Sequence, residues 1–376
     1  VRREEVLKVG HRLLDHLAAG TLDLSDAPMV TDGSCFTDPE RFARERQLLF
    51  RRTPQVMGWS GEVAAPGDFV ARDVAGVPVL VTRDPDGGLR AFLNACSHRG
   101  MPVGVGCGSA RRFTCGYHGW SYDNGGQLVG IPSRDQFAGC DVAGLGLRPL
   151  PVTISAGLIV VGLEPDVEVD GYLDELEEPL GGFHYDRYRT IEGVDPVDIR
   201  PRANWKLIVD VNVEGYHVPA LHRDTIAGVV FNNGSVDTYG RHSRFCLPII
   251  GFEQLADVPD DDWPERIPLV IVHTVFPSTV LIEHEQGGSM IRISPGERPN
   301  ESVVQFVEAT HKPIDAAQIE MSKFTFQASV DVVLAEDFPG AELCQKGYDG
   351  GSPTLVAGTG EALIRHWHEV WDAAVA

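Results

Sequence analysis

Cys96-Ser97-His98 and Cys115-Gly116-Tyr117-His118 each join one thiolate donor to one imidazole, with 16 residues between His98 and Cys115. Two thiolates and two imidazoles suit a [2Fe–2S] cluster: Cys96 and Cys115 would hold one iron, His98 and His118 the other. The competing chemistry is a structural zinc ion on the same four residues, or isolated residues packed in a core. Zinc fingers usually group cysteine with cysteine and histidine with histidine, whereas here the two types interleave as C-x-H and C-x2-H. Arg99-Gly100 follows the first pair and Gly119 the second. Glycine there lets the backbone approach the cluster and aim amides at its sulfurs.

In their context, Cys96-Ser97-His98-Arg99-Gly100 and Cys115-Gly116-Tyr117-His118-Gly119-Trp120, these residues resemble the Rieske domain of ring-hydroxylating and related oxygenases. Respiratory Rieske proteins carry a further cysteine in each cluster loop, joined as a disulfide. Met101 and Tyr117 stand at the comparable positions here. The resemblance therefore implies the lower-potential oxygenase type.

A second constellation follows. Asn204-Trp205-Lys206 opens a segment that ends Glu214-Gly215-Tyr216-His217-Val218-Pro219-Ala220-Leu221-His222. Lys206 to Tyr216 reads as helical, and on a helix Asp210, Glu214 and His217 share one face. His222 falls off that face. Pro219, with the restriction it places on Val218, is expected to end or kink the helix and turn His222 back. Two imidazoles and a carboxylate suit the 2-His-1-carboxylate site of a non-haem Fe(II) oxygenase, whose third ligand must come from elsewhere. The segment resembles the catalytic domain of the same family, and that resemblance points to Asp337 in Glu336-Asp337-Phe338, with Glu336 as the fallback. The two constellations extend the resemblance over roughly residues 35 to 350. In the family, Glu214 matches a carboxylate that bridges subunits of a ring-shaped trimer, accepting hydrogen bonds from His217 and from His118 of the adjacent chain. Many relatives have Glu-Asn where this chain has Val209-Asp210. Asp210 thus adds an acid that alters iron affinity, makes a second bridge, or is simply a solvated helix acid.

Those residues need elements to hold them. Phe69–Val74, Val77–Thr82 and Leu89–Ala95 read as short strands, the last two separated by the turn signal Asp84-Pro85-Asp86-Gly87-Gly88. They predict a small antiparallel all-β domain over 54–165. Before it, Arg2–Leu17 and Asp38–Leu49 read as helices, the second with Asp38 as N-cap and Pro39 in its first position. After it, Leu269–Val275, Thr279–His284, Ser289–Ile293 and Val303–Ala309 read as a meander, with Gln286-Gly287-Gly288 as a hairpin signal. Ile314–Leu334 and Glu361–Ala374 read as helices, the latter packing through Trp367 and Trp371. The expected class is α+β: an all-β Rieske domain (54–165) and a catalytic domain of antiparallel sheet with helices (166–376). A helical segment, 1–53, is expected to pack on the catalytic domain. The resemblance implies the START-like, helix-grip form for that domain.

Composition bounds the partners. The 376 residues carry a net charge of −22, which repels phosphate backbones and anionic lipid, so nucleic-acid and membrane binding are not expected. No apolar run reaches spanning length, the nearest being Leu150–Leu163, and no signal-peptide core is present, so a cytoplasmic location is expected. Residues 54–165 hold 8 Arg, no Lys and 9 acids, so that segment is nearly neutral. Arg99, Arg111 and Arg112 flank the cluster ligands and could dock an acidic electron donor. Gly104-Val105-Gly106-Cys107-Gly108 opens no helix, so no nucleotide fingerprint is present, and the resemblance implies a separate NAD(P)H-dependent reductase or ferredoxin. It further implies a homotrimer, O2 as co-substrate, and ring hydroxylation or oxidative N- or O-demethylation of a small organic substrate. The competing class is an electron carrier or binding protein that kept the cluster and lost the iron. Cys107 lies between the cluster loops without an expected ligand role. Cys35, Cys140, Cys246 and Cys344 are expected to pack as small hydrophobes. His273, Glu283 and His284 are candidate cavity-lining residues, though satisfied sheet positions are the commoner case. Phe231, Phe245, Leu247, Ile249, Ile250 and Phe252 are candidates for pocket wall, though core packing is the commoner case. The acidic run Asp257 to Glu265 is expected to be a solvated loop.

Overall fold

Val77, Val79 and Val81 alternate along a β-rich run that only a strand can bury on one side. In the computed structural model, which describes residues 3–142, 144–264, 266–284 and 287–376, that run is Val77–Arg83. Arg2 at the start of the first expected helix, Glu265 in the acidic run and Gln286 in the hairpin signal lie outside the described residues. The chain splits into two compact units: Phe50–Glu177 with His184–Arg189, and Val1–Leu49 with Glu178–Phe183 and Thr190–Ala376.

The first of these units is built of short antiparallel strands. Asp68–Val74 and Val77–Arg83 form a hairpin over Ala75-Gly76, both at positive φ as a tight two-residue turn requires. The sheet order is Pro149–Leu150, Leu89–Leu93, Val77–Arg83, Asp68–Val74, Gly106–Ser109. Two three-stranded sheets accompany it, one of which, Arg112–Thr114, Ser121–Asp123 and Leu128–Gly130, carries the second cluster loop. Met57, Val70, Val79, Val81, Ile159 and Val161 fill the core.

The other unit is organised around an antiparallel meander in the order Ser302–Thr310, Gly287–Pro295, Thr279–His284, Leu269–Val275, His242–Pro248, Ser235–Tyr239. Its last two strands were not expected from the sequence. The register assigns side chains to two faces. On one face Cys246 and Leu269 pack with Val9 and Leu13 of the helix Arg3–Ala19, and with Phe252 and Trp263. Against the other lie Trp205–Asp210 and the C-terminal helix Ala362–Val375, whose Trp367 Nε1 donates to Ser243 Oγ at 3.0 Å. Trp371 stacks edge-on to Trp205 at 4.8 Å. The long helix runs Ala316–Val332, opened by a capping box between Asp315 and Gln318, and widens to π geometry over Val333–Asp337. Asp38 caps Pro39–Glu45 as expected, but the helix widens to π over Arg46–Arg51. No helix among the described residues is long and apolar enough to cross a membrane.

Candidate metal centres

The two Cys/His loops share one design. In each, the cysteine N–H donates to the carbonyl five residues on: Cys96 to Met101 at 2.9 Å, and Cys115 to Trp120 at 2.8 Å. In each, a glycine at positive φ returns its N–H to the cysteine carbonyl: Gly100 at 2.7 Å, Gly119 at 3.0 Å. A side chain at either glycine would meet the left-handed penalty, so the glycines follow from the turn. Asn94 staples the first loop shut, accepting from Val103 N and Gly104 N and donating to the Gly104 carbonyl. Both thiols are buried, and the His98 and His118 rings lie 4.5 Å apart. His98 stacks on Trp120 at 5.0 Å, and its Nδ1 is buried with no protein partner. Ser97 N donates to the Tyr122 hydroxyl at 2.9 Å, which leaves the hydroxyl hydrogen for Cys96 Sγ at 3.1 Å. Burial pushes the Tyr122 phenol up to about 12, with the Cys96 contact adding to it, so it stays a donor.

The second constellation departs from the helix expected over Lys206–Tyr216. The helix stops at Asp210, and Asn212 Nδ2 donates back to the Ile208 carbonyl at 2.8 Å. Valine at 209, 211 and 213 and glycine at 215 give this stretch poor helix propensity. Asp210, Glu214 and His217 therefore do not share a helical face. Instead, a turn at Glu214 lets its carboxylate accept from both the His217 backbone N–H and the His217 Nδ1. Pro219 likewise ends nothing. It sits in the first turn of a new short helix, Val218–Leu221, where its missing N–H costs no bond. That turn brings His222 round to His217, ring centroids 5.0 Å apart. Asp337, last residue of the π segment, completes a group: ligand atoms of His217, His222 and Asp337 all lie within 4.8 Å of one another. Asp337 Oδ1 stands 3.1 Å from His222 Nε2 and 3.7 Å from His217 Nε2. Glu336 stands behind, not in, the group, accepting from His222 Nδ1 and from Thr225 Oγ1.

The electrostatics follow from this arrangement. Burial raises the Asp337 carboxyl above its ordinary value, only partly offset by the two imidazoles. Burial pulls His217 down, but the Glu214 and Asp337 carboxylates outweigh it, so the imidazole stands above its usual value. Hydrogen bonds from His222 and Thr225 hold Glu336 below the ordinary carboxylate value.

Residues 183–376 match the family described as ring hydroxylating alpha subunit (catalytic domain), and residues 53–151 match the Rieske [2Fe-2S] domain. The chain belongs to the Rieske oxygenase family. Similar curated proteins include a glycine betaine monooxygenase oxygenase subunit of Chromohalobacter salexigens, 28% identical over 52% of this chain and 43% of that protein. Another is the biphenyl 2,3-dioxygenase alpha subunit of Rhodococcus jostii, 37% identical over 48% of this chain and 40% of that protein. The matched segment thus spans about half the length or less of these relatives. Among solved structures, the quaternary ammonium Rieske monooxygenase CntA superposes with TM-score 0.77 at 19% identity, covering 96% of this chain and 98% of that one. Naphthalene 1,2-dioxygenase from Rhodococcus sp. superposes with TM-score 0.71 at 19% identity, covering 99% and 98%. At that identity the likeness is one of fold.

Membership of the Rieske oxygenase family brings a [2Fe–2S] cluster and a mononuclear iron, and the residues fit both. A single zinc ion would draw Cys96, His98, Cys115 and His118 into one tight group; among the described residues His217, His222 and Asp337 make such a group and these four do not. Paired thiols with paired imidazoles, one of them with an orphaned Nδ1, instead suit two irons. At the other centre each imidazole spends its Nδ1 on a carboxylate, which leaves each Nε2 facing Asp337 as a metal ligand should.

Other expected residues fall differently. Asp210 is outside the three-residue group, with Oδ2 3.3 Å from His368 Nε2 and Oδ1 buried without a partner. His273 lies on the sheet face opposite the His217 segment, against Phe183 at 5.3 Å, so it does not line a cavity there. Cys35 and Cys246 are buried as expected, whereas Cys140 and Cys344 are exposed. Arg99, Arg111 and Arg112 are all exposed. The sequence offered no sign of Tyr122 or His368, since each acts through a contact distant in the chain, nor of Asn94, which closes its own loop. Thr225 had only its nearness to His222.

Proposed function

We propose that this chain is the catalytic subunit of a Rieske mono- or dioxygenase that uses O2 and electrons from a separate NAD(P)H-dependent reductase or ferredoxin to oxidise a small organic substrate. The observation that carries this reading is the convergence of His217, His222 and Asp337, each imidazole backed by its own carboxylate, in a chain that also holds a Rieske domain. Delivery of single electrons and activation of O2 are the chemistry that the cluster and the iron supply when bound.

The protein's own part is positioning. Glu214 and Glu336 each fix one tautomer, protonated at Nδ1, so that His217 and His222 offer lone pairs at Nε2. Asp337 adds an anionic oxygen from a partly desolvated position. His217, His222 and Asp337 would hold the iron, which would supply the O2-activating chemistry when bound. Glu214 is assigned the bridging role as well: in a homotrimer it accepts a hydrogen bond from His118 of a neighbouring copy, joining one chain's cluster to the next chain's iron. Asp210, held by His368, stays outside the ligand group.

Named relatives include monooxygenases of glycine betaine and carnitine and dioxygenases of biphenyl and anthranilate. Demethylation and ring hydroxylation are therefore both within the reading, and pocket shape chooses between them. A compound screen following substrate-stimulated O2 uptake, with product mass, tests it. Gain of one oxygen, gain of a dihydrodiol or loss of a methyl group supports it and separates the reaction types. Absence of any stimulated uptake in cluster- and iron-replete protein with a working reductase refutes it.

A further inference from the structure

The ladder register places Phe245, Val272, Ile282, Ser289 and Glu308 side by side as one rung across five strands. This rung lies on the face of the sheet that meets the metal-binding segment. Phe245 packs beside Gly215, where a Cβ would meet its ring at 3.4 Å, and the next rung holds Phe306, 6.4 Å from Phe338, the residue after Asp337. The rung spans four strand spacings, about 19 Å measured along the sheet. Water reaches it. Ile282 and Ser289 on this rung are half-buried, while His273, Leu281, Met290 and Val307, one residue away on the opposite face, keep 0–1% of their surface. At the other end of the face Trp367 bonds to Ser243, and Ser243, Thr274 and Val280 are closed off.

The open rung has an apolar floor and ends on a carboxylate. Glu308 is 4% exposed. Its two oxygens accept from His284 Nε2 and Ser289 Oγ, which leaves acceptor capacity on each. Buried Glu45 has Lys206 and Arg41 as permanent cations and Glu62 has Arg72, whereas Asp337, in the metal-binding group, has only imidazoles. Among the described residues, the ion-pair partner of Glu308 is His284 alone, charged only when protonated. A buried acid without a fixed counter-ion is costly unless something cationic completes it. Phe306, two residues before Glu308 on the same strand and face, adds aromatic surface of the kind that favours a cation.

We propose that Glu308, carried by His284 and Ser289, is a specificity-determining subsite that receives a cationic nitrogen, a protonated amine or a quaternary ammonium group, at the end of the apolar floor. The subsite rests on the oxygenase reading only in that its occupant would be the substrate. His284, whose side chain is 40% exposed, covers Glu308 from the solvent side. Ser289 fixes the second carboxylate oxygen.

The test compares choline with its uncharged isostere, 3,3-dimethylbutan-1-ol, by calorimetric titration of the cluster- and iron-loaded protein. The expected result is at least about tenfold tighter binding of the cation. Glu308→Gln should bind the two alike, while Glu308→Asp, which keeps the charge, should retain a preference. Equal binding by the wild type, no saturable binding of the cation, or an undiminished preference in Glu308→Gln overturns the subsite. Each variant is checked for melting temperature and iron content, and if Glu308→Gln does not fold, the wild type and Glu308→Asp still decide. A chain lacking the mononuclear iron would instead count against the oxygenase reading, and the charge preference would still be measurable.

Discussion

Glu336 shows how neighbouring residues of one type divide a task. Glu336 and Asp337 are consecutive at the end of the π segment, yet both reach His222, one at Nδ1 and the other at Nε2. Glu336 holds the ring at Nδ1 and leaves Nε2, beside Asp337, for a metal. Glu336→Gln should weaken iron binding about 10- to 100-fold while cluster content stays unchanged, read by iron titration of the apo-protein. Unchanged affinity would mean that the contact does not orient the ring. His273 carries a different consequence. Burial, with Arg244 nearby, pushes its imidazole down to about 3, so the folded protein holds it neutral while the unfolded chain titrates near 6.5. Above that value both states are neutral and nothing is gained or lost. As pH falls from about 6.5 towards 3, the unfolded state binds the proton first and stability is lost. His273→Leu should therefore spare about 2 kcal/mol of the stability that the wild type loses between pH 7 and 5, measured by denaturant unfolding. The residue types of the ligands were legible because few side chains bind iron. The choice of Asp337 over Glu336 came from the family resemblance and not from residue type, since both are carboxylates and differ in how the π segment aims them.

At the scale of elements, the short helix Trp205–Asp210 is fastened from below. Lys206, fully buried, donates to both Glu45 oxygens at 2.7 Å, Trp205 Nε1 donates to the same carboxylate at 3.0 Å, and Arg41 completes it at 2.8 Å. Burial lowers the Lys206 pKa and Glu45 opposes the shift. Lys206→Met would leave the acid buried with Arg41 alone, and should destabilise the protein by about 3–5 kcal/mol. Denaturant unfolding reads this, and a loss below about 1 kcal/mol would show that the site relaxes freely. Leu269–Val275 and Thr279–His284 were legible as strands from their length and β-branched content. His242–Pro248 was not, because all seven of its residues are buried. Helices cover the sheet on both sides there, so the alternation that marks a half-buried strand is missing. The helix boundary at Asp210 was hidden for the opposite reason. Asp210, Glu214 and His217 had helical spacing, but the local valines and Gly215 favoured a turn that brings Glu214 and His217 together by another route.

For the whole molecule, charge and chemistry separate. The segment 54–165 is nearly neutral, whereas the remainder holds most of the net −22. An acidic donor would therefore meet least repulsion near the exposed Arg99, Arg111 and Arg112. In the proposed homotrimer, transfer onward between copies would depend on the carboxylate of Glu214. Glu214→Gln should keep all metals yet slow electron transfer from cluster to iron, read by single-turnover cluster oxidation. A normal rate would remove the bridge from the account. Central to all of this is that one chain holds two different iron sites. Quantifying iron and acid-labile sulfide in anaerobically reconstituted protein tests it most directly. The account predicts about three irons and two sulfides per chain, two irons in the cluster and one on His217, His222 and Asp337. Two irons with two sulfides would contradict it, leaving an electron carrier in place of an oxygenase.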